Sequence, residues 1–141
     1  MMKKLLANEE YCLYESVSSY DDYELLSWLQ QNGIMFHQDW KHIDEQEIYA
    51  FINKRSCALK TQPLPINEAK MTEWVNSMFF HSNSQLVKSL LFQYDTLIRK
   101  IGLRIINRQT YSDCYNLFIV TSENASKLCV IKSDFWNFIR L

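Results

Sequence analysis

The sequence predicts an α+β fold: a small antiparallel sheet of three or four strands packed with five or six helices. Three observations carry this reading. Two apolar, β-branched-rich runs, 103–107 and 114–120, flank a polar break from Arg108 to Asp113, the pattern of strands joined by a hairpin loop. The segment 34–41 alternates apolar and polar residues. Most of 44–101 instead places its apolar residues at helical spacing.

Taken in order, residues 3–17 read as one helix with a sparse stripe of Leu6, Leu13 and Val17. After a break at 18–20, Asp21 and Asp22 favour a helix start through capping and the macrodipole. That helix runs through Leu25, Leu26, Trp28 and Leu29 and stops at Asn32-Gly33, which leaves Tyr23 and Glu24 on its exposed first turn. Strand 34–40 then sends Ile34, Phe36 and Trp40 to one face and Met35, His37, Asp39 and Lys41 to the other, and so reads as half-exposed. Asp44, with Glu47 three residues on, opens a helix carrying Ile48, Phe51, Ile52 and Leu59.

The proline-bearing stretch 61–65 is too short to separate domains, so 1–141 reads as a single domain. Asn67 or Glu68 opens a helix striped by Met71, Trp74, Val75 and Met78. After 81–84 comes the strongest periodicity in the chain: Val87, Leu90, Leu91, Tyr94, Ile98 and Ile101, ended by Gly102 in a positive-φ position. Strands 103–109 and 114–120 follow, the latter central because it is apolar on both faces. Ser122-Glu123 caps a short helix with Ala125, Leu128 and Cys129, and 136–140 reads as an edge strand.

Composition narrows the function. Two glycines cannot build a Walker A loop or GxGxxG, which removes the two motif-defined nucleotide folds. Cys12, Cys57, Cys114 and Cys129 form no C-x-x-C pair. Cys114 and Cys129 fall in apolar runs, where a thiol behaves as a small buried hydrophobe. No cofactor is expected. No run approaches the ~18 apolar residues of a membrane span and no secretory pattern opens the chain, so the expected location is cytoplasmic, away from membranes. Charge is divided unevenly. Residues 1–50 hold three Lys against ten Asp and Glu, net −7, and residues 51–141 hold twelve Lys and Arg against six, net +6. Either a partner surface or the folding of one half against the other would account for that.

Four groups could carry chemistry or binding. His37 and Asp39 share a strand face with His42 close by, so a hydrolase or metal-dependent enzyme is one reading; the sequence identifies no third ligand. Ser112 and Asp113, with His81 as base, fit turn chemistry better than a catalytic set. Arg99, Lys100, Arg104 and Arg108 lie near Tyr111 and Tyr115 as a basic–aromatic patch, but a pI of about 6.3 argues against a dedicated nucleic-acid binder. The densest acidic–aromatic segment supplies the partner-binding residues: Tyr20, Asp21, Asp22, Tyr23 and Glu24, joined by Glu45 and Glu47. Tyrosines give contact area at low entropic cost, and carboxylates steer a basic partner. Nothing in the sequence opposes a homo-oligomer.

Asp39-Trp40-Lys41 before an acidic-capped helix, together with Gly102-Leu103, Arg108, Thr110, Ser112-Asp113, Tyr115 and Leu117-Phe118-Ile119-Val120, resembles a family of small bacterial α+β domains, some of them like immunity proteins of toxin–immunity systems. The resemblance covers about half the chain. It implies a non-enzymatic protein that binds and neutralises a partner toxin, and supplies no catalytic residues; the acidic–aromatic segment would suit a basic toxin domain, such as a nuclease.

Overall fold

Four strands form one antiparallel sheet in the order β1-β3-β2-β4: β1 Met35–Asp39, β2 Leu103–Arg108, β3 Cys114–Thr121 and β4 Phe138–Arg140. The computed structural model describes residues 1–42, 44–60, 62–78 and 82–141. Ile43, Thr61, Phe79, Phe80 and His81 lie outside the described residues, and with them the first residue of the proline-bearing stretch and the base considered for Ser112 and Asp113. Seven helices surround the sheet among the described residues: α1 Met2–Leu5, α2 Asn8–Glu15, α3 Asp22–Gln31, α4 Glu45–Lys60, α5 Glu68–Ser77, α6 Asn83–Arg99 and α7 Ser122–Leu128. The α+β class and the four expected strands are present, and the β2–β3 hairpin pairs Leu103 with Thr121 through Arg108 with Asn116.

Both faces of the sheet are covered. Ile106, Phe118, Val120 and Phe138 join Leu5, Leu25 and Leu29 in one core beneath α1, α3 and α7. Leu103, Ile105, Leu117 and Ile119 join residues such as Ile48 and Leu90 in a second core beneath α4, α5 and α6. This two-sided burial explains why β3 is apolar at every position from Leu117 to Val120. On β1 the expected solvent face is exposed at His37 and Asp39, but Met35 on that face belongs to the first core; Phe36, on the apolar face, packs against the second, its ring 5.3 Å from that of Phe51.

The expected helix over 3–17 is two helices, which raises the count from five or six to seven. Leu6 and Ala7 are extended between them. Glu10 Oε2 accepts the Ala7 N–H at 2.7 Å and restarts the helix. The freed Leu5 carbonyl accepts from Arg55 Nη2 at 3.1 Å, and Arg55 Nη1 also bonds the Glu10 carboxylate. The break lets Leu5 and Leu6, successive residues that a continuous helix would splay apart, both enter the core. Leu13, expected on a buried stripe, is 60% exposed. At α7 the cap is Thr121, whose Oγ1 accepts the Asn124 N–H, rather than Ser122. β4 begins at Phe138 rather than 136, because Ser133 Oγ takes the Trp136 N–H at 2.8 Å and turns the chain there.

Helix ends follow local chemistry. Gly33, at φ 67°, closes α3 in a Schellman motif: its N–H bonds Gln30 O, and the Ile34 N–H bonds Leu29 O. Gly102, at φ 77°, follows α6 and turns the chain into β2.

The α6–β2 junction is held by a buried carboxylate. Asp95 is fully buried on α6. Its Oδ1 accepts the Ile105 N–H at 2.8 Å, one residue before β4 begins pairing with β2 at Ile106. Arg104 Nε approaches both oxygens, at 3.1 and 3.2 Å, and Arg99 Nη2 donates at 2.9 Å. The carboxylate thus serves as a strand partner where β4 is missing. Removing one member of a buried charge cluster leaves the others unpaired. Asp95→Ala is expected to lower unfolding stability by about 3–5 kcal/mol, read as the midpoint shift in urea. A loss below about 1 kcal/mol, the range of exposed pairs, would contradict that role.

Tyr94, the preceding residue, is buried with no hydrogen-bond partner for its hydroxyl among the described residues. Burial, reinforced by Tyr49, Glu45 and Glu68, holds the phenol well above its usual range, so it stays neutral. Deleting an unsatisfied buried hydroxyl removes its desolvation penalty. Tyr94→Phe is therefore expected to raise stability by about 1 kcal/mol in the same measurement, and a decrease would reveal a partner for that oxygen.

Candidate functional site

The acidic–aromatic segment is organised by the start of α3. Asp21 Oδ1 accepts the N–H groups of Tyr23 and Glu24, both at 2.9 Å, and Glu24 Oε2 accepts the Asp21 N–H at 3.0 Å, a complete capping box. Asp22 Oδ1 accepts the Trp136 indole N–H at 2.6 Å. The Tyr23 ring meets the Phe135 ring edge-on with centroids 4.9 Å apart. Phe135 in turn lies over the Arg108 guanidinium, 4.0 Å from ring centroid to Cζ, while Arg108 Nε donates to the Phe135 carbonyl at 2.8 Å. Burial pulls the Arg108 guanidinium below its ordinary range, and nearby Tyr23, Asp22 and Cys114 oppose that shift. Residues 20–24 therefore rest on a bed built by β2 and the segment before β4.

Above that bed the segment remains open to solvent. Tyr20 is 43% exposed and Tyr23 74%. Asp21, Asp22 and Glu24 are exposed, as are Glu9 and Glu15 on α2. The two helices meet through Tyr14 against Trp28, with ring centroids 6.4 Å apart. From residue 8 to residue 31 there are six carboxylates and no Lys or Arg. One of the six, Glu10, is engaged by Arg55; the other five are exposed.

Glu45 and Glu47 are not brought to this surface. They open α4, which packs on the second core, whereas α3 packs on the first. Glu47 is exposed and lines a shallow depression with Gln30 and Gly33, at the opposite end of α3 from Tyr20. Glu45 is half-buried, not exposed as its place at a helix start suggested, and its Oε2 is buried without a partner among the described residues. Glu47 N–H is capped by Asp44 Oδ1 at 3.0 Å, as the spacing indicated.

The other candidate groups have local structural partners. His37 is exposed on β1, and its Nδ1 lies 2.9 Å from Oδ1 of its cross-strand neighbour Asn116. Asp39 Oδ1 accepts the Lys41 N–H at 2.7 Å. No third His, Cys, Asp or Glu completes a metal-binding group with them among the described residues. Ser112 Oγ sits 3.0 Å from Thr110 Oγ1 and 2.9 Å from Cys114 Sγ, a set of turn contacts. The basic–aromatic patch is not assembled: Arg99 and Arg104 converge on Asp95, Arg108 lies beneath Phe135, and Tyr111 stands fully exposed in the hairpin loop. All four cysteines are free; Cys114 and Cys129 are half-buried rather than buried, and Cys12 and Cys57 are exposed.

Sequence reading missed two features. The role of Phe135 and Trp136 as the floor under residues 20–24 depends on pairing across more than a hundred residues. A cleft of about 620 Å³ between α5, α6 and the β2–β4 edge is a product of helix placement, with no local signal. Among the described residues, no helix is long and apolar enough to cross a membrane.

No curated protein and no solved structure matches the chain. A family described as "Domain of unknown function (DUF6630)" matches residues 2–134, nearly the whole chain with α1 through α7 and the first three strands. The chain belongs to the DUF6630 family.

Proposed function

We propose that the chain is a non-catalytic protein-binding module, an immunity-type inhibitor that docks a basic toxin domain on the α2–α3 surface. The observation that carries this reading is the combination on residues 8–31: five exposed carboxylates without a cation in the segment, beside exposed Leu13, Tyr20 and Tyr23. An interface needs both components. Unneutralised carboxylates raise the encounter rate with a cationic partner, and exposed apolar rings supply the buried anchor that charge alone does not. The structure supports rigidity as well, since the capping box and the Trp136 bond hold residues 20–24 in place before any partner arrives.

The protein encoded immediately upstream is the partner to test first, with growth rescue on co-expression and association rates measured at two ionic strengths. Asp21, Asp22 and Glu24 are poor choices for charge reversal, because their side chains hold α3 and Trp136. Glu15→Lys with Tyr20→Ala alters only exposed side chains, and a lysine near the end of α2 suits the helix dipole. That double variant is expected to slow association about tenfold at low salt, to flatten its salt dependence, and to leave the circular dichroism unchanged. Binding of equal rate and equal salt dependence in the variant would place the interface elsewhere. No complex at low salt, and no rescue, would remove the inhibitor reading.

A further inference from the structure

β1 is an outer strand of the sheet, and one side of its backbone is unused. The Trp40 N–H continues the ladder to Asp113 O at 3.3 Å, so the backbone groups of Gln38 and Phe36, two and four residues back, also face β3. Those of Met35, His37 and Asp39 point out of the sheet. Their three N–H groups have no partner among the described residues, and the Asp39 carbonyl accepts from Gln38 Nε2 at 2.6 Å. The opposite edge differs: β4 has three residues, and Asn137 before it is bridged to Lys132. An outward row of backbone donors and acceptors is a template for another strand.

Charges of both signs flank this edge in a fixed order. α4 runs antiparallel to β1: the Phe51 ring stacks on that of Phe36, and Lys54 Nζ lies 2.9 Å from where a Cβ on Gly33 would stand. Glu47, one turn before Phe51, therefore lies toward the Asp39 end of the strand. Glu47, Ala50 and Lys54 form an exposed stripe along a depression of about 430 Å³ that opens beside Phe36. Neither Glu47 nor Lys54 is in an ion pair among the described residues. From α3 the depression is bordered by neutral Gln30 and by Gly33.

We propose that a second copy of this chain occupies the edge, with β1 pairing antiparallel to its own counterpart about a two-fold axis at His37. His37 then exchanges two backbone bonds with His37 of the other copy, and Met35 exchanges two with Asp39 in each direction. This register engages all three outward residues of both strands and keeps the two Asp39 carboxylates from standing opposite each other. Because α4 is antiparallel to its own β1, the same axis sets Lys54 of each copy beside Glu47 of the other. The edge is thus complementary to itself in backbone and in charge, as an isologous interface requires. Tyr20, at the far end of α3, stays outside this pairing, so the dimer and the inhibitor reading stand or fall separately.

Sedimentation equilibrium of the full chain is expected to show a concentration-dependent species of twice the 16.9 kDa chain mass. In hydrogen exchange, the His37 and Asp39 amides should be protected at high protein concentration and exchange freely on dilution. His37→Lys places two like charges opposite each other at the axis and should leave a monomer with the parental circular dichroism. Glu47→Lys and Lys54→Glu should each weaken association by about tenfold, and the two combined in one chain should restore it. A chain that is monomeric at every concentration, a dimer whose His37 and Asp39 amides stay unprotected, a dimer undiminished by His37→Lys, or a charge exchange that restores nothing would each overturn the proposal.

Discussion

The architecture depends on one buried carboxylate. Asp95 lies where α6 passes the open end of the β2 edge, and a backbone N–H there would otherwise face the core without a partner. An aspartate answers that N–H directly, and its charge then requires the two arginines. Arg104 comes from the strand and Arg99 from the next turn of the same helix, so the cluster ties helix, turn and strand together. Everything in the second core, from α4 to α6, is positioned relative to the sheet through this junction and the apolar packing around it. A hydrophobic side chain at residue 95 could be buried there, but it could not satisfy the Ile105 N–H.

Charge in this chain has two separate uses. In the basic half, Arg99 and Arg104 are committed to Asp95, and Arg108 to an aromatic bed, so these cations are structural. Arg55 reaches across to Glu10 and joins the halves. Glu10 apart, the acidic residues of α2 and α3 are in no ion pair among the described residues: Asp21, Asp22 and Glu24 accept neutral N–H groups, which satisfies their hydrogen bonding, and Asp22 alone also acts on Arg108 through space. The uneven division of charge along the sequence thus survives folding as an acidic surface on α2 and α3, while Arg55, Arg104 and Arg108 turn inward.

Much of this was legible in residue pattern. α3, α6 and the β2–β3 hairpin announce themselves because capping groups, apolar period and glycine stops agree at each end. What was hidden arises from distant partners. The split between α1 and α2 has no breaker residue; it exists because Arg55 takes the Leu5 carbonyl. On β1 the exposed face holds at His37 and Asp39 and fails at Met35, because periodicity reports one strand, whereas burial of Met35 depends on the first core closing over it. Of the partner-binding set, residues 20–24 are contiguous and stay together, but Glu45 and Glu47 were joined to them by chemical likeness, and the sheet separates the two layers.

Arg55 sets an order of events during synthesis. Its two acceptors lie 45 and 50 residues upstream, so the segment 2–15 leaves the ribosome long before the guanidinium that fastens it. Until then α1 and α2 are short helices of marginal stability, with Leu5 and Leu6 exposed to other chains. The same dependence runs backward. A guanidinium buried in the finished protein has no counter-charge until the segment carrying Glu10 folds back over it. Residues 2–15 are thus made early and secured late, and a chaperone that holds Leu5 in the nascent chain delays completion of the first core.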